Sequence, residues 1–211
     1  MLQRPNSGTF IVFEGLDGSG SSTQISLLAD YLEHEGYKVL VVKQPSPNMI
    51  GGLIRGQLTH DWHTSPECLQ LLFAADRAHQ VEREIIPALR AGAIVLADRH
   101  LYSSIAFGQV DGLGKDWLWA INSQVPEPDA VILMKVAPEE CMARIKKTRF
   151  TQELFEQIEK LRTVWGHYEE IATHVHQCHV VNGERPKDVV AKEIQSIIAP
   201  YIKPAPVKLP L

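Results

Sequence analysis

The chain's first chemically loaded stretch is a run of glycines and hydroxyls behind four apolar residues. Phe10 to Gln24 reads Phe-Ile-Val-Phe-Glu-Gly-Leu-Asp-Gly-Ser-Gly-Ser-Ser-Thr-Gln. Glycines at 15, 18 and 20 let the backbone turn its N–H groups inward, and a helix opening near Ser22 adds partial positive charge. Strand, glycine loop and helix in that order form a phosphate cradle, with Gly15, Gly18, Ser19, Gly20, Ser21, Ser22 and Thr23 as its phosphate-facing set. Gly15 and Gly20 stand five apart, as in G-x-x-x-x-G-K-[ST], and Ser22 fills the last place, the hydroxyl that meets Mg²⁺. Ser21 stands where that pattern has lysine. A serine hydroxyl donates a hydrogen bond but cancels no phosphate charge. The plainer alternative is a glycine-rich turn with no ligand; strand, spacing, hydroxyl and helix agree instead on the cradle.

Other charged residues fall where an open parallel sheet binds ligands, beyond the carboxyl ends of its strands. Asp98-Arg99 follows the apolar run Ala93–Ala97, and a carboxylate in that place is an expected Mg²⁺ partner, directly or through water. Helix N-capping is its ordinary alternative. Arg55 sits on a short helix over 51–58, and Asp76, Arg77 and Arg83 exceed what packing needs in a helix over 66–89. Arg144, Lys146, Lys147 and Arg149 make a basic helix end.

The elements that must position these groups alternate. Apolar runs at 10–13, 39–42, 93–97, 130–136 and 180–181 read as strands, with helices over 22–35, 51–58, 66–89, 139–147, 152–168 and 186–198. Leu69, Leu72, Phe73 and Ala75 form the apolar stripe of the third of these helices, which Pro87 and Gly92 end. This alternation specifies an α/β fold, a parallel sheet covered on both faces. The 211 residues suit one domain, here 9–199, behind a loose lead-in at 1–8 and before a proline-rich tail at 200–211. A net charge of −4 disfavours a nucleic-acid polymer as partner. Three separated cysteines without C-x-x-C suit a reducing cytoplasm and argue against zinc, and His174, His176 and His179 lack a familiar ligand spacing. No apolar run is long enough to cross a membrane.

Three motifs in order resemble the thymidylate kinase family: Phe13-Glu-Gly-Leu-Asp-Gly-Ser-Gly, Leu71-Leu-Phe-Ala-Ala-Asp-Arg77 and Asp98-Arg-His-Leu-Tyr-Ser-Ser-Ile-Ala-Phe107. The resemblance runs from about Thr9 to Ile198. It implies a three-layer P-loop NTPase fold with a five-stranded parallel sheet and a short helical lid at about 143–155. It also implies transfer of the γ-phosphoryl of ATP to dTMP with Mg²⁺, by a cytoplasmic homodimer. By this resemblance Asp17 accepts from the deoxyribose 3′-OH, Phe73 stacks on thymine and Arg77 donates to the base. Arg55 and Arg99 hold the acceptor phosphate, and Ser103, Ser104 and Phe107 line the nucleoside pocket. The lid supplies Arg144, Arg149 and Lys146, and Ser22 with Asp98 serves the metal.

Four departures bear on activity. Ser21 replaces the lysine, His100 stands where Tyr is usual, Gln44-Pro-Ser-Pro47 replaces a Glu-Pro-Gly type segment, and Ala106-Phe-Gly-Gln109 replaces Ala-Tyr-Gln. Three outcomes stay open on these residues: an active dTMP kinase in which a lid lysine offsets Ser21, a nucleotide-binding homologue without turnover, or a kinase for another nucleotide or nucleoside.

Overall fold

A computed structural model describes residues 7–148 and 158–203, with side chains except those of 146–148. At its centre β1 (Thr9–Gly15) is buried at all seven positions, as its continuous apolar run requires of a strand covered on both faces. Around it the parallel sheet runs in the order β2 (Val39–Lys43), β3 (Ile94–Asp98), β1, β4 (Ala130–Lys135), β5 (Cys178–Asn182).

Alternate side chains divide the core. Phe10 and Val12 pack into the larger cluster, with Val95, Ile105 and Tyr168; Ile11 and Phe13 pack into the smaller, with Ile25, Leu28 and Ile194. The smaller face is covered by α1 (Ser21–His34) and α9 (Lys187–Ile198). On the larger lie α2 (Met49–Leu58), α3 (Pro66–Gln80), α4 (Ile86–Arg90), α5 (Leu101–Val110), α6 (Lys115–Ile121), α7 (Pro138–Thr148) and α8 (Ile158–His174).

Register fixes the site. Phe13 pairs with Asp98, and Asp98 with Lys43, so Glu14, Asp98 and Lys43 emerge together at the carboxyl edge. Because β1 leads to β2 on one side and β3 leads to β4 on the other, the crevice opens between them.

The structure differs from the sequence expectations in four places. The single helix expected over 66–89 is α3, a π turn at Val81–Ile85, and α4, which carries Pro87 and runs on to Arg90. Pro87 offers no N–H to the preceding turn and its ring crowds the carbonyl there, so the turn widens rather than ending. Buried positions of α3 include Gln70, Asp76, Arg77 and Gln80, while Ala75 of the expected stripe is exposed. Two helices, α5 and α6, join β3 to β4, where the alternation of elements along the sequence implies a single helix. The packed domain is also wider than 9–199. Ser7 Oγ donates to the Leu89 carbonyl at 2.6 Å. A 3₁₀ turn at Ala199–Tyr201 accepts from Thr9 Oγ1 at 3.0 Å. Residues 1–6 of the lead-in and 204–211 of the tail lie outside the described residues, as do residues 149–155 of the expected lid. His179 lies in β5 with Nε2 at 2.9 Å from the Tyr201 hydroxyl.

Candidate active site

The phosphate loop leaves β1 through Gly15 and reaches α1 through Gly18 (φ 83°) and Gly20 (φ 92°), both in the left-handed region. Gly18 has no room for a side chain: a Cβ there would lie 2.5 Å from the Cys141 carbonyl oxygen of α7. At the start of α1, Ser22 Oγ donates to Asp98 Oδ2 at 2.7 Å and Ser21 Oγ to Asp98 Oδ1 at 3.4 Å. Lys43 brings its Nζ to 3.3 Å from the same Oδ2 while its side chain stays 56% exposed. One carboxylate thus gathers two hydroxyls and an ammonium beside the loop. Ser19 is buried with its hydroxyl unpartnered, and Thr23 is exposed on the first turn of α1. The hard oxygen donors of Ser22 and Asp98 fit Mg²⁺, which takes one or two protein oxygens and keeps phosphate and water for the rest. No cluster of three or more His, Cys, Asp or Glu suited to a metal occurs among the described residues.

Arg99 sits at the junction of β3 and α5 with φ 69°, unusual for a side-chain-bearing residue. Its N–H donates to the Phe13 carbonyl at 2.9 Å, which ties the turn to β1. NH2 pairs with Asp17 Oδ1 at 3.1 Å, NH1 donates to Ser103 Oγ at 2.9 Å, and the guanidinium lies 5.3 Å from the Phe107 ring centroid. Beneath it, Glu14 accepts from the His100 N–H at 2.9 Å, from Ser103 Oγ at 2.5 Å and from the Tyr168 hydroxyl at 3.1 Å. Burial, the largest influence, raises the Glu14 carboxyl above the usual carboxylate range, against the pull of Ser103, Arg99, His100 and Tyr168. Burial works against the Arg99 charge too, but Asp17, Tyr168, Glu14 and Asp98 outweigh it and raise the guanidinium, which stays charged.

Next to this network opens a cavity of about 780 Å³ lined by, among others, Asp17, Lys43, Arg55, Phe73, Arg99 and Phe107. Arg77, 1% exposed, crosses one wall. Its Nε donates to Gln44 Oε1 at 2.8 Å, its NH2 to Ser104 Oγ at 2.9 Å and the His100 carbonyl at 3.1 Å, and its NH1 to Asn122 Oδ1. Burial lowers it to about 10, offset in part by Glu14 and Asp76, so it is a cation at neutral pH. Arg55 donates to the Ser46 carbonyl, and Asp76 holds that segment by accepting from Ser46 N at 2.8 Å. His100 is buried edge-on to Phe10 with both ring nitrogens unpartnered. Burial first, and Arg77 second, press it well below its ordinary value, so the ring is neutral.

A phosphate loop, a carboxylate facing its hydroxyls and a cation-walled cavity alongside are the parts of a phosphoryl-transfer site. A family model described as thymidylate kinase matches residues 13–194. The chain belongs to the thymidylate kinase family. Relatives agree along nearly their whole length. A probable thymidylate kinase of Pyrococcus abyssi is 37% identical over 196 residues, covering 90% of this chain and 96% of its own. A thymidylate kinase of Caldicellulosiruptor saccharolyticus is 34% identical over 202 residues, covering 93% and 98%. The solved thymidylate kinase of Candida albicans superposes with a TM-score of 0.80 at 27% identity, covering 91% of each chain. The five-stranded parallel sheet is the P-loop NTPase fold of thymidylate kinases, and the protein is a phosphotransferase of that class.

Within this thymidylate kinase framework the expected residues divide. Asp17, Arg55, Phe73, Arg77, Arg99, Ser103, Ser104 and Phe107 come together on one cavity, and Ser21, Ser22 and Asp98 are linked to its lining through Lys43. Arg144 of α7 pairs with Glu140 at 2.8 Å, and its NH1 lies 3.5 Å from the carbonyl oxygens of Gly18 and Ser19, seating it on the loop backbone. Lys146 is on α7, but its side chain, like all of Arg149, lies outside the described residues. Sequence reasoning missed Glu14, Tyr168 and Lys43. Glu14 carried a signal, a carboxylate closing a buried apolar strand; Tyr168 reaches the site only through tertiary packing of α8.

Proposed function

We propose that this protein phosphorylates dTMP to dTDP, with ATP as phosphate donor and Mg²⁺ as cofactor. The observation that carries the reading is the placement of Arg99: it joins Asp17 of the phosphate loop to the wall of the cavity, where two phosphates must meet. An oxygen of the acceptor phosphate bonds to the γ-phosphorus as the bond to the bridging oxygen of ADP breaks. Most of the catalysis in such a reaction is positioning and charge stabilisation.

Backbone N–H groups of 18–22 and the α1 N-terminus cradle the donor phosphates. Ser22 and Asp98 would hold Mg²⁺, which, when bound, neutralises charge on the donor phosphate oxygens. Arg99 and Arg55 take the acceptor phosphate, guanidinium forks suiting phosphate better than point charges. Phe73 offers a face to the base, Arg77 with Ser104 forms its polar wall, and Asp17 accepts from the sugar hydroxyl. Ser103 and Phe107 flank Arg99 and the nucleoside. Lys43 supplies the ammonium that position 21 lacks, turning its half-exposed side chain from Asp98 toward the donor phosphates. Arg144, Arg149 and Lys146 complete the donor side from α7 and the segment after it. The protein acts in the cytoplasm as a homodimer joined through helices; Leu53 of α2 and Leu71 of α3 are about half exposed and available to such a face. No helix among the described residues is long and apolar enough to cross a membrane.

Steady-state transfer from Mg·ATP to dTMP, beside dUMP, dCMP, dGMP and thymidine, tests the reading. Turnover with dTMP preferred is expected. Binding of dTMP and ATP without turnover would make the protein a nucleotide-binding relative, the outcome that the uncharged Ser21 favours.

A further inference from the structure

The buried face of α3 is polar where a packing helix would be apolar. Gln70, Phe73 and Arg77 follow one another at helical spacing, three and then four residues apart, and all three line the cavity. Gln70 is 1% exposed, yet its side-chain carbonyl oxygen has no hydrogen-bond partner. An unpaired buried carbonyl is costly to keep, and nearly all buried polar groups in folded proteins find a partner.

A glycine of α5 lies beside this amide. Arg77 reaches α5 at Ser104 Oγ, and one turn further on the facing residue is Gly108. A Cβ at 108 would lie 2.7 Å from Leu118 Cδ2 and 3.4 Å from Gln70 Cδ, so Leu118 fills the space a side chain there would enter, and the Gln70 side chain packs directly beside it. A donor is also left over in the wall of the same cavity: Gln44 Oε1 accepts from Arg77, and Gln44 Nε2 is buried without a partner. The cavity wall thus contains a buried unpaired acceptor and a buried unpaired donor, and Phe73 lines the same cavity. Its complement is a flat ring carrying both an N–H and a carbonyl, the imide edge of a uracil-type base. Cytosine offers a bare ring nitrogen there, which would set acceptor against acceptor.

We propose that Gln70 is the specificity-determining residue that accepts a hydrogen bond from the ring N–H of the acceptor base. This rests on the dTMP reading of the cavity and deepens it. Gln44 Nε2 donates to an oxygen of the same ligand.

The test is equilibrium binding by titration calorimetry, which needs no turnover. Wild type and Gln70→Met, similar in shape but without the amide, are titrated with dTMP, dCMP and the dTMP analogue methylated at N3. The variant should bind dTMP about ten-fold more weakly. Its preference for dTMP over the N3-methyl analogue should largely vanish, and dCMP affinity should hold or rise. Its thermal midpoint without ligand should not fall, because an unpaired buried carbonyl has been removed. Undiminished dTMP binding and an unchanged preference in Gln70→Met would overturn the proposal. So would a lowered midpoint with equal losses for all three ligands, the mark of a purely structural glutamine. A wild type that binds no dTMP would instead overturn the reading of the cavity on which it rests.

Discussion

Arg99 and Arg77 sit inside closed hydrogen-bond networks, whereas Ser21, Ser22 and Lys43 meet at a single carboxylate in the open part of the cleft. The two regions are built to different tolerances. Around the arginines, Glu14, Ser103, Tyr168, Gln44 and Asn122 restrain each guanidinium before any ligand arrives, so little reorganisation is left for binding. Around the serines, the only cation that reaches Asp98 among the described residues has a side chain more than half in solvent. On the proposed reading, charge on the acceptor side is preformed and charge on the donor side must be gathered. The absent loop lysine therefore weakens the half of the site that is still able to adjust.

Perturbing either half should separate them. The largest effect belongs to Arg99, which touches both: Arg99→Ala should lower kcat/KM for dTMP by about a thousand-fold, in line with transition-state arginines elsewhere. Steady-state kinetics would check this, and a loss under ten-fold would remove Arg99 from the phosphoryl-transfer machinery. Lys43→Ala comes next, with about a thirty-fold fall in kcat and little change in KM for dTMP; equal losses in both parameters would mean a general packing defect. Tyr168→Phe removes the hydroxyl that lies within 3.4 Å of Arg99 NH1 and hydrogen-bonds Glu14. It should cost about five-fold in turnover, since one neutral hydrogen bond in a network is lost and the rest remain.

The smallest effect is on stability, not rate. His100 is held neutral when folded, by burial and by Arg77, but takes a proton near pH 6.5 when unfolded. The unfolded state then binds more protons, so stability falls as pH drops below about 6.5, by up to about 1.4 kcal/mol per pH unit. His100→Phe, which keeps the ring against Phe10, should flatten that acid limb in denaturant titrations between pH 7 and 5; an unchanged slope would assign the limb to other groups.

Particular residues show how far the sequence carries this account. The central strands β1, β3 and β4 are legible because they are buried on both faces, so burial writes a continuous apolar run, while the partly exposed edge strands β2 and β5 show through their valines. The loop needs glycine at 18 for a backbone reason, its left-handed φ and the contact with Cys141, and such needs leave a local signature. Arg77 and Arg99 stand out in the sequence by charge and position, Asp17 only by resemblance, and that all three share one cavity follows from the structure. Glu14, Tyr168 and Lys43 were missed for a common cause: each acts through a partner far along the chain. Glu14 and Tyr168 are 154 residues apart, and Lys43 meets Asp98 only through the register of β2 on β3. The α3 face misled for the opposite reason. An apolar stripe is the ordinary way to bury a helix, and here a polar face is turned inward toward a cavity.

The central claim is that the donor half borrows from β2 the charge its loop lacks. Ser21→Lys, made in wild type and in Lys43→Ala, tests it most directly through kcat with Mg·ATP and dTMP. The account predicts that Lys43→Ala is impaired and that Ser21→Lys restores most of the loss, while adding much less to wild type. Full activity in Lys43→Ala, or an equal gain from Ser21→Lys in both backgrounds, would show that Lys43 and position 21 do not share one task and would contradict it.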